Sequence, residues 1–393
     1  MPANTVDTRP NLKAVCSRKA LSEAVQTVGH AVSGRNALPI LNHILIRSEK
    51  EGLRLIATDT EIGISCRIPA EIEATGALTA PARLLTEVLA NLPDRSDVAL
   101  SVDRSHTVHI HCDRSDYKIL GLPAEEYPNL PDVQDTASFT LPQKVLREMI
   151  RQTIFAVSPD NTRPILTGIL IAFDGETVRF VSTDTHRLAV KTVVAKEGQG
   201  AQNAVVPERA MNQLTRLLSD AEGDVQVTLS SNQAHFALPG ADEVQITARL
   251  IEGQFPNFQR VIPTQYQKRL TLYTQSLLSA VRRASIVARE DAHRVILRTG
   301  EDKLELTASS QSGNAHEEMD VTREGDDVEI AFNARYLLDV LSVLDTERLT
   351  LELTEPLKPG VIRPVPPPAQ DEEGPVSSLA PDYLCVLMPM QVA

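Results

Sequence analysis

Apolar positions along the chain follow two periods, and the switches between them mark out its elements. Leu21, Ala24, Val25, Val28 and Val32 recur at helical spacing with Ser17 placed as an N-cap, which predicts one apolar face of a helix. The same stripe returns in Val145, Leu146, Met149 and Ile150 after Pro142, and in Leu277, Leu278, Val281 and Ala284 after Thr274. Shorter helices are expected over 81–91, 207–218 and 334–344. Runs such as 98–102, 225–229 and 349–353 alternate apolar with polar residues, as antiparallel strands with one buried face do. The predicted class is α+β, with helices packed on one face of antiparallel sheet. Segment 358–378 breaks the pattern. Prolines at 359, 364, 366, 367, 368 and 375 beside Asp371-Glu372-Glu373 predict a mobile surface loop, because proline cannot donate to a strand ladder.

The pattern repeats. Pro39-Ile40-Leu41-Asn42-His43-Ile44-Leu45-Ile46 is echoed at six of eight positions by Pro164-Ile165-Leu166-Thr167-Gly168-Ile169-Leu170-Ile171, 125 residues later. Thr58-Asp59-Thr60 returns as Thr183-Asp184-Thr185 in the same register. A third copy shows where the run 82–89 is echoed by 334–341, about two periods on. A period this long calls for a domain per copy rather than a solenoid turn. Turn-rich stretches at 128–132 and 256–264, each preceded by similar sequence (Glu126-Tyr127-Pro128-Asn129 and Gln254-Phe255-Pro256-Asn257), place the boundaries. The expected organisation is a disordered tail at 1–10, then domains at 11–134, 135–263 and 264–393, with 358–378 inserted in the third.

Composition narrows the function classes. A hydrophobic share of 42% with 23% charged residues is the balance of a soluble globular protein. No apolar run approaches the roughly 20 residues that span a bilayer, and 1–10 is polar, so the reading is cytoplasmic with no membrane partner. Cys16, Cys66, Cys112 and Cys385 are scattered, which argues for neither a zinc site nor a disulfide framework. A net charge of -13 excludes a protein that grips nucleic acid by charge over its whole surface, though not one with a single basic face.

Two clusters invite a chemical reading. His106, His109, His111 and Cys112 have ligand chemistry, but Val108 and Ile110 alternate with the histidines, so a strand with exposed histidines explains them more simply. Asp184 with His186 has the chemistry of an acid/base pair, yet the first copy keeps Asp59 without a histidine. A carboxylate common to both copies fits a turn that accepts backbone N–H groups. No phosphate loop, nucleophile elbow or metal-binding helix motif is present, so no cofactor is expected. Basic residues cluster on the helices instead. Lys144, Arg147 and Arg151 share one helix face, Arg282 and Arg283 hold a related place, Arg18 and Lys19 open the first helix, and Arg83, Arg209, Arg216 and Arg335 mark the second helices.

On the stretches Gly34-Arg35, Leu38-Pro39-Ile40-Leu41, Pro81-Ala82-Arg83, Thr183-Asp184, His186-Arg187-Leu188-Ala189, Phe255-Pro256, Arg260-Val261, Phe332-Asn333, Tyr336 and Met388-Pro389-Met390, the chain resembles the bacterial sliding clamps, beta subunits of the replicative DNA polymerase. The resemblance runs nearly its whole length. It implies three domains of one clamp topology, two helices plus antiparallel sheets in each, and a head-to-tail homodimeric ring without catalytic activity that encircles duplex DNA as a processivity factor. DNA would meet Arg35, Arg83, Lys144, Arg147, Arg151, Arg163, Arg209, Arg216, Arg282 and Arg283. A peptide pocket would draw on Leu166, Thr183, His186, Arg187, Leu188, Pro256, Arg260, Val261, Tyr336, Val386, Leu387, Met388, Pro389 and Met390. Replicative polymerase, clamp loader, other polymerases, ligase and mismatch-repair factors would dock there through short motifs. The dimer joint would pair Tyr117 and Ile119 with Ile286 and Val287, with Glu317 and Glu318 facing nearby basic groups. The chain departs from the family at Pro164-Ile165, where relatives carry aromatic residues implicated in stacking on single-stranded DNA, and in its last residues Gln391-Val392-Ala393. Two other readings compete: an enzyme using Asp184 and His186, and a monomeric protein-binding scaffold.

Overall fold

The computed structural model describes residues 11–32, 38–130, 136–300, 302–366 and 382–392. The tail 1–10, Arg35 and the 367–378 part of the proline-rich segment lie outside the described residues. Each third of the chain runs through the same order: strand, helix, five strands, helix, three strands. The first comprises β1 (Lys13–Ser17), α1 (Arg18–Gly29), β2 (His43–Glu49), β3 (Gly52–Thr58), β4 (Ile62–Ile68), β5 (Glu71–Ala74), β6 (Ala77–Pro81), α2 (Ala82–Ala90), β7 (Asp97–Val102), β8 (Thr107–Cys112) and β9 (Ser115–Leu120). The second has β10 (Ala137–Pro142), α3 (Gln143–Ile154), β11 (Gly168–Phe173), β12 (Thr177–Thr183), β13 (Arg187–Val194), β14 (Glu197–Gln199), β15 (Gln202–Pro207), α4 (Glu208–Leu217), β16 (Asp224–Leu229), β17 (Gln233–Ala237) and β18 (Gln245–Arg249). The third has β19 (Lys268–Tyr273), α5 (Thr274–Ala288), β20 (Arg294–Thr299), β21 (Lys303–Ser310), β22 (Gly313–Asp320), β23 (Thr322–Glu324), β24 (Glu329–Asn333), α6 (Ala334–Leu341), β25 (Arg348–Leu353), β26 (Gly360–Val365) and β27 (Asp382–Leu387).

The described chain divides into two compact units, 1–146 with 196–200 and 212–250, and 147–195 with 201–211 and 251–393. The first unit holds a five-stranded sheet, β5-β1-β7-β8-β9, and a nine-stranded sheet, β14-β10-β16-β17-β18-β4-β3-β2-β6. The second holds a nine-stranded sheet, β15-β11-β12-β13-β27-β26-β25-β19-β23, and a four-stranded sheet, β22-β21-β20-β24. All pairings are antiparallel, in agreement with the α+β reading. The middle third therefore lends strands to both units. Its ninth strand β18 pairs with β4, Gln245 opposite Ser65, and its fourth strand β13 pairs with β27, Leu188 opposite Val386.

Helices form where the stripes predict them. In the first unit α1 buries Leu21, Ala24, Val25 and Val28. Ser17 takes the N-cap position without a side-chain cap bond, and the last turn tightens as the N–H groups of Ala31 and Val32 reach the carbonyls of Val28 and Gly29. The helix thus ends at Gly29 and leaves Val32 beyond it, one turn short of the stripe. In the second unit α5 and α6 bury Leu277, Val281, Ala284, Leu337, Val340 and Leu341 against Leu297, Leu306, Leu351 and Cys385. Each such leucine contributes about 1.5–3 kcal/mol by leaving water. Asn333 caps α6 by accepting the Arg335 N–H at 2.9 Å.

The proline-rich segment is a correction to the sequence reading. Residues 360–365, expected in a loop, form β26 between β25 and β27. Pro364 is tolerated because the ladder to β27 stops at Ile362, so the missing N–H faces no partner on that side. Among the described residues, no helix is long and apolar enough to cross a membrane.

Candidate functional site

The strand-to-strand turn at Asp184 is the local device on which the site is built. Asp184 Oδ1 accepts the N–H groups of His186 at 2.9 Å and Arg187 at 3.0 Å. Thr183 Oγ1 donates to the Arg187 carbonyl at 2.7 Å and accepts the Thr185 N–H at 3.2 Å. The first copy is built alike: Asp59 Oδ1 accepts from Glu61 and Ile62, Thr58 Oγ1 donates to the Ile62 carbonyl, and the Thr60 N–H returns to Thr58. Thr60 and Thr185 both sit in the left-handed region, at φ 78° and 77°. The shared aspartate is a turn acceptor, as its presence without histidine predicts.

The turn places Arg187 at the head of β13. Its side chain, 10% exposed, gives Nε–H to Asp184 Oδ2 at 3.0 Å, and its two terminal nitrogens donate to Asp339 on α6 and to the Phe155 carbonyl just past α3. Its guanidinium lies 4.5 Å from the ring centroid of Tyr336 and 5.2 Å from that of Phe155. Burial, with help from the Asp184 carboxylate, pushes the Tyr336 hydroxyl up from its usual range, so it stays protonated. Both oxygens of Asp184 are committed to N–H donors, and the His186 ring stacks on Tyr336 at 6.1 Å. An aspartate held this way is not positioned to trade protons with that histidine.

Beside Arg187 lies a cavity of about 200 Å³ lined by Leu166, Thr183, Thr185, Arg187, Leu188, Pro256, Asn257, Phe258, Val261, Val386 and Met388. Its floor is the outer face of the second unit's nine-stranded sheet, where Leu170, Val181, Leu188, Val190, Val205, Val361, Leu384 and Val386 form a small apolar cluster capped by Phe255 and Phe258. Strand alternation sorts β27: Leu384 and Val386 face this cluster, while Tyr383, Cys385 and Leu387 face the main core. Leu387 is therefore a correction, a core residue rather than a wall. Of the other expected residues, His186 and Tyr336 stand beside the cavity through Arg187, and Arg260 is exposed one residue before Val261. Met388 and Met390 are tied by their N–H groups to the carbonyls of His186 and Ala331. Sequence reasoning missed Thr185, Asn257 and Phe258. The signal for Phe258 was the i, i+3 pair it makes with Phe255.

The basic residues are placed on helix surfaces and loops. In the first unit Arg83, Lys144 and Arg216 are exposed, Arg83 paired with Glu87 one turn on. In the second unit Arg147 and Arg209 are half-buried, Arg163 and Arg282 are exposed, and Arg151 meets Asp345. Arg283 is drawn to Glu317, which that guanidinium holds below the usual carboxylate range. Glu318 meets Lys303 at 3.5 Å. The basic groups these two glutamates were expected to face thus include residues of their own chain.

Among the described residues each of the four sheets ends in two edge strands, and the expected joint falls on two of these, β9 in the first unit and β22 in the second. Tyr117 and Leu120 are exposed on β9, and Ile286 is 63% exposed on α5. Ile119 is 3% exposed, and Val287 packs against the core, so both can reach a joint only through backbone or neighbouring side chains. On β8 the histidines do face solvent: His109 meets Asp103 at 3.2 Å and His111 meets Asp116 at 2.7 Å, while Val108, Ile110 and Cys112 point inward.

Family models match most of the chain: the DNA polymerase III beta subunit N-terminal domain over 12–131, its central domain over 140–257 and its C-terminal domain over 259–372. The Beta sliding clamp of Staphylococcus aureus is 33% identical over 345 residues, 85% of this chain and 90% of that protein. The Beta sliding clamp of Staphylococcus epidermidis is 32% identical over the same shares. Among solved structures, the DNA polymerase sliding clamp from Bacillus subtilis superposes with a TM-score of 0.89 at 28% identity, covering 98% of this chain and 100% of that one. The DNA polymerase III subunit beta from Pseudomonas aeruginosa gives 0.87 at 29%, covering 96% and 100%.

Proposed function

The chain belongs to the DNA polymerase III beta subunit family, the sliding clamps, and on that premise we propose that two copies close head to tail into a ring around duplex DNA. As a clamp it is a processivity factor and not an enzyme. It keeps the replicative polymerase on its template in the cell interior.

The observation that carries the ring is the pairing rule inside the chain. The ninth strand of one repeat pairs with the fourth strand of the repeat before it, β18 with β4 and β27 with β13. Each pairing fuses a five-strand set to a four-strand set, giving nine strands. One five-strand set, ending in the ninth strand β9, and one four-strand set, ending in the fourth strand β22, are left over. Pairing β9 of one copy with β22 of another obeys the same rule and covers these two edges. Such a contact is heterologous, and made twice it closes. Tyr117, Leu120 and Ile286 then leave water, and Glu317 with Arg283 lies beside the joint.

A closed ring holds DNA by enclosure, so phosphate contacts need only be few and sequence-independent. Lys144, Arg147, Arg151, Arg163, Arg209, Arg216, Arg282 and Arg83 supply that modest charge, with Arg283 shared with Glu317, on a protein of net charge -13. The cavity beside Arg187 takes the apolar anchor of a partner peptide, with His186, Tyr336, Arg260, Pro389 and Met390 at its margin. Polymerases, clamp loader, ligase and mismatch-repair factors use it in turn.

The test is retention on plasmid. Protein loaded by a clamp loader on nicked circular DNA should stay through gel filtration and be lost once the plasmid is linearised. Equal retention on both forms would show adhesion instead of enclosure. Light scattering should give twice the 43.0 kDa chain mass at micromolar concentration. A persistent monomer would sink the ring and leave a scaffold.

A further inference from the structure

Thr185 lines the cavity although its backbone stands at φ 77°, where glycine is at ease and a β-branched side chain is rare. We propose that Thr185 sets the size of apolar side chain the pocket accepts, its β-branched carbon and oxygen filling part of the mouth that glycine would leave to the ligand. The inference rests on the reading of the cavity as a peptide pocket.

The turn itself does not need the threonine side chain. It is held by the side chains of Thr183 and Asp184, and from Thr185 by its backbone N–H. Glycine at 185 keeps every one of these bonds and removes the strain of a Cβ at positive φ. The molecule carries its own control. Thr60 has the same φ and the same bond to Thr58, on a turn where Gly63 replaces Leu188 and Leu130 packs over the glycine. Whatever glycine does to the turn, it does at both positions. At 185 the residue borders a cavity of only about 200 Å³, so a few heavy atoms at its mouth decide between a branched aliphatic and an aromatic anchor, whereas on the Thr60 turn Leu130 occupies the space over Gly63.

The probe is a fluorescein-labelled decapeptide selected on the full-length protein from a displayed library, then resynthesised with Ala, Leu or Phe at its apolar anchor. Fluorescence polarisation gives the ratio of Phe to Leu affinities. Thr185→Gly should raise that ratio at least about fivefold, Thr185→Ser by less, while Thr185→Val, which keeps the shape, and Thr60→Gly stay within about twofold of the parent. Unfolding midpoints of Thr185→Gly and Thr60→Gly should shift alike. An unchanged ratio in Thr185→Gly and Thr185→Ser, with the parent peptide still bound, overturns the role of Thr185 and leaves the pocket intact. If peptide binding survives Arg187→Ala unchanged, the pocket reading fails and this inference fails with it.

Discussion

The first and second repeats build the same turn over the same sheet face, and where the second leaves a hollow the first seats Leu130. Their backbones agree to the hydrogen bond: Thr58 with Asp59, and Thr183 with Asp184, hold matching N–H groups around a threonine at φ 78° or 77°. Four of the side-chain differences between them bear on the hollow. Ile62 stands where the second repeat has Arg187, Gly63 where it has Leu188, Tyr127 where it has Phe255, and Leu130 where it has Phe258. A Cβ on Gly63 would lie 2.3 Å from Leu130 Cδ2, so Leu130 rests on the glycine beside Ile40, Leu41, Ile56 and Tyr127. The Tyr127 hydroxyl donates to the His43 carbonyl and accepts the Thr58 N–H, which fastens the lid. The first repeat thus fills its own hollow. The second opens it and sets a guanidinium at its edge. A duplicated fold acquires a hollow by unfilling one copy, with no change in the hydrogen bonds of the turn.

Arg187→Ala should have the largest effect. It strands the half-buried Asp184 carboxylate and removes the bonds to Asp339 and Phe155, so urea unfolding should show a loss of about 3 kcal/mol. Peptide affinity measured by polarisation should fall at least about tenfold, the equivalent of ~1.4 kcal/mol. Ile62→Ala in the first repeat, at 1% exposure, should cost about 2–4 kcal/mol and leave peptide affinity untouched. If both variants weaken the peptide alike, the repeats do not differ in the way described.

Gly63→Leu imposes the second repeat's residue on the first and should cost about 1–3 kcal/mol through overpacking against Leu130. Adding Leu130→Ala should recover much of that loss, a coupling that a double-mutant cycle in urea reads directly. Additive losses would mean that Leu130 does not seat on the glycine. Tyr127→Phe should cost about 1 kcal/mol in thermal unfolding, since it leaves the Thr58 N–H without its acceptor. His186→Ala, which removes only an exposed ring stacked on Tyr336, should change peptide affinity by about twofold, roughly 0.5 kcal/mol. A tenfold loss there would move the anchor site toward Tyr336.

The threefold repeat, the helices and the aspartate turn were legible because each is set by residues close in sequence. Leu21 to Val28 carry their period openly, and Asp59 declared Asp184 a turn residue by lacking a histidine beside it. Facing was harder. Residues 384–387 are apolar on both sides of β27, so no alternation told Leu387 from Val386, and Ile119 on the edge strand β9 reads like an exposed residue although it is buried. The strand at 360–365 was hidden because a proline rule for ladder interiors meets a position where one ladder has already stopped. Pairing was not legible at all. Nothing local marks Glu317 as the partner of Arg283, or Lys191, 3% exposed in the middle of an apolar strand, as the partner of Glu148. Those contacts depend on which elements fold side by side.

The loan of strands from the middle repeat to both units means that the chain cannot be pruned at the joints its own duplication suggests. A fragment ending at residue 130 would lose β18 and bare the long flank of β4, six of whose seven residues are buried here, as a sticky template for its neighbours. Trimming after residue 250 would likewise deprive β13 of β27. Ancestry is counted in thirds, whereas cooperative unfolding should run in halves.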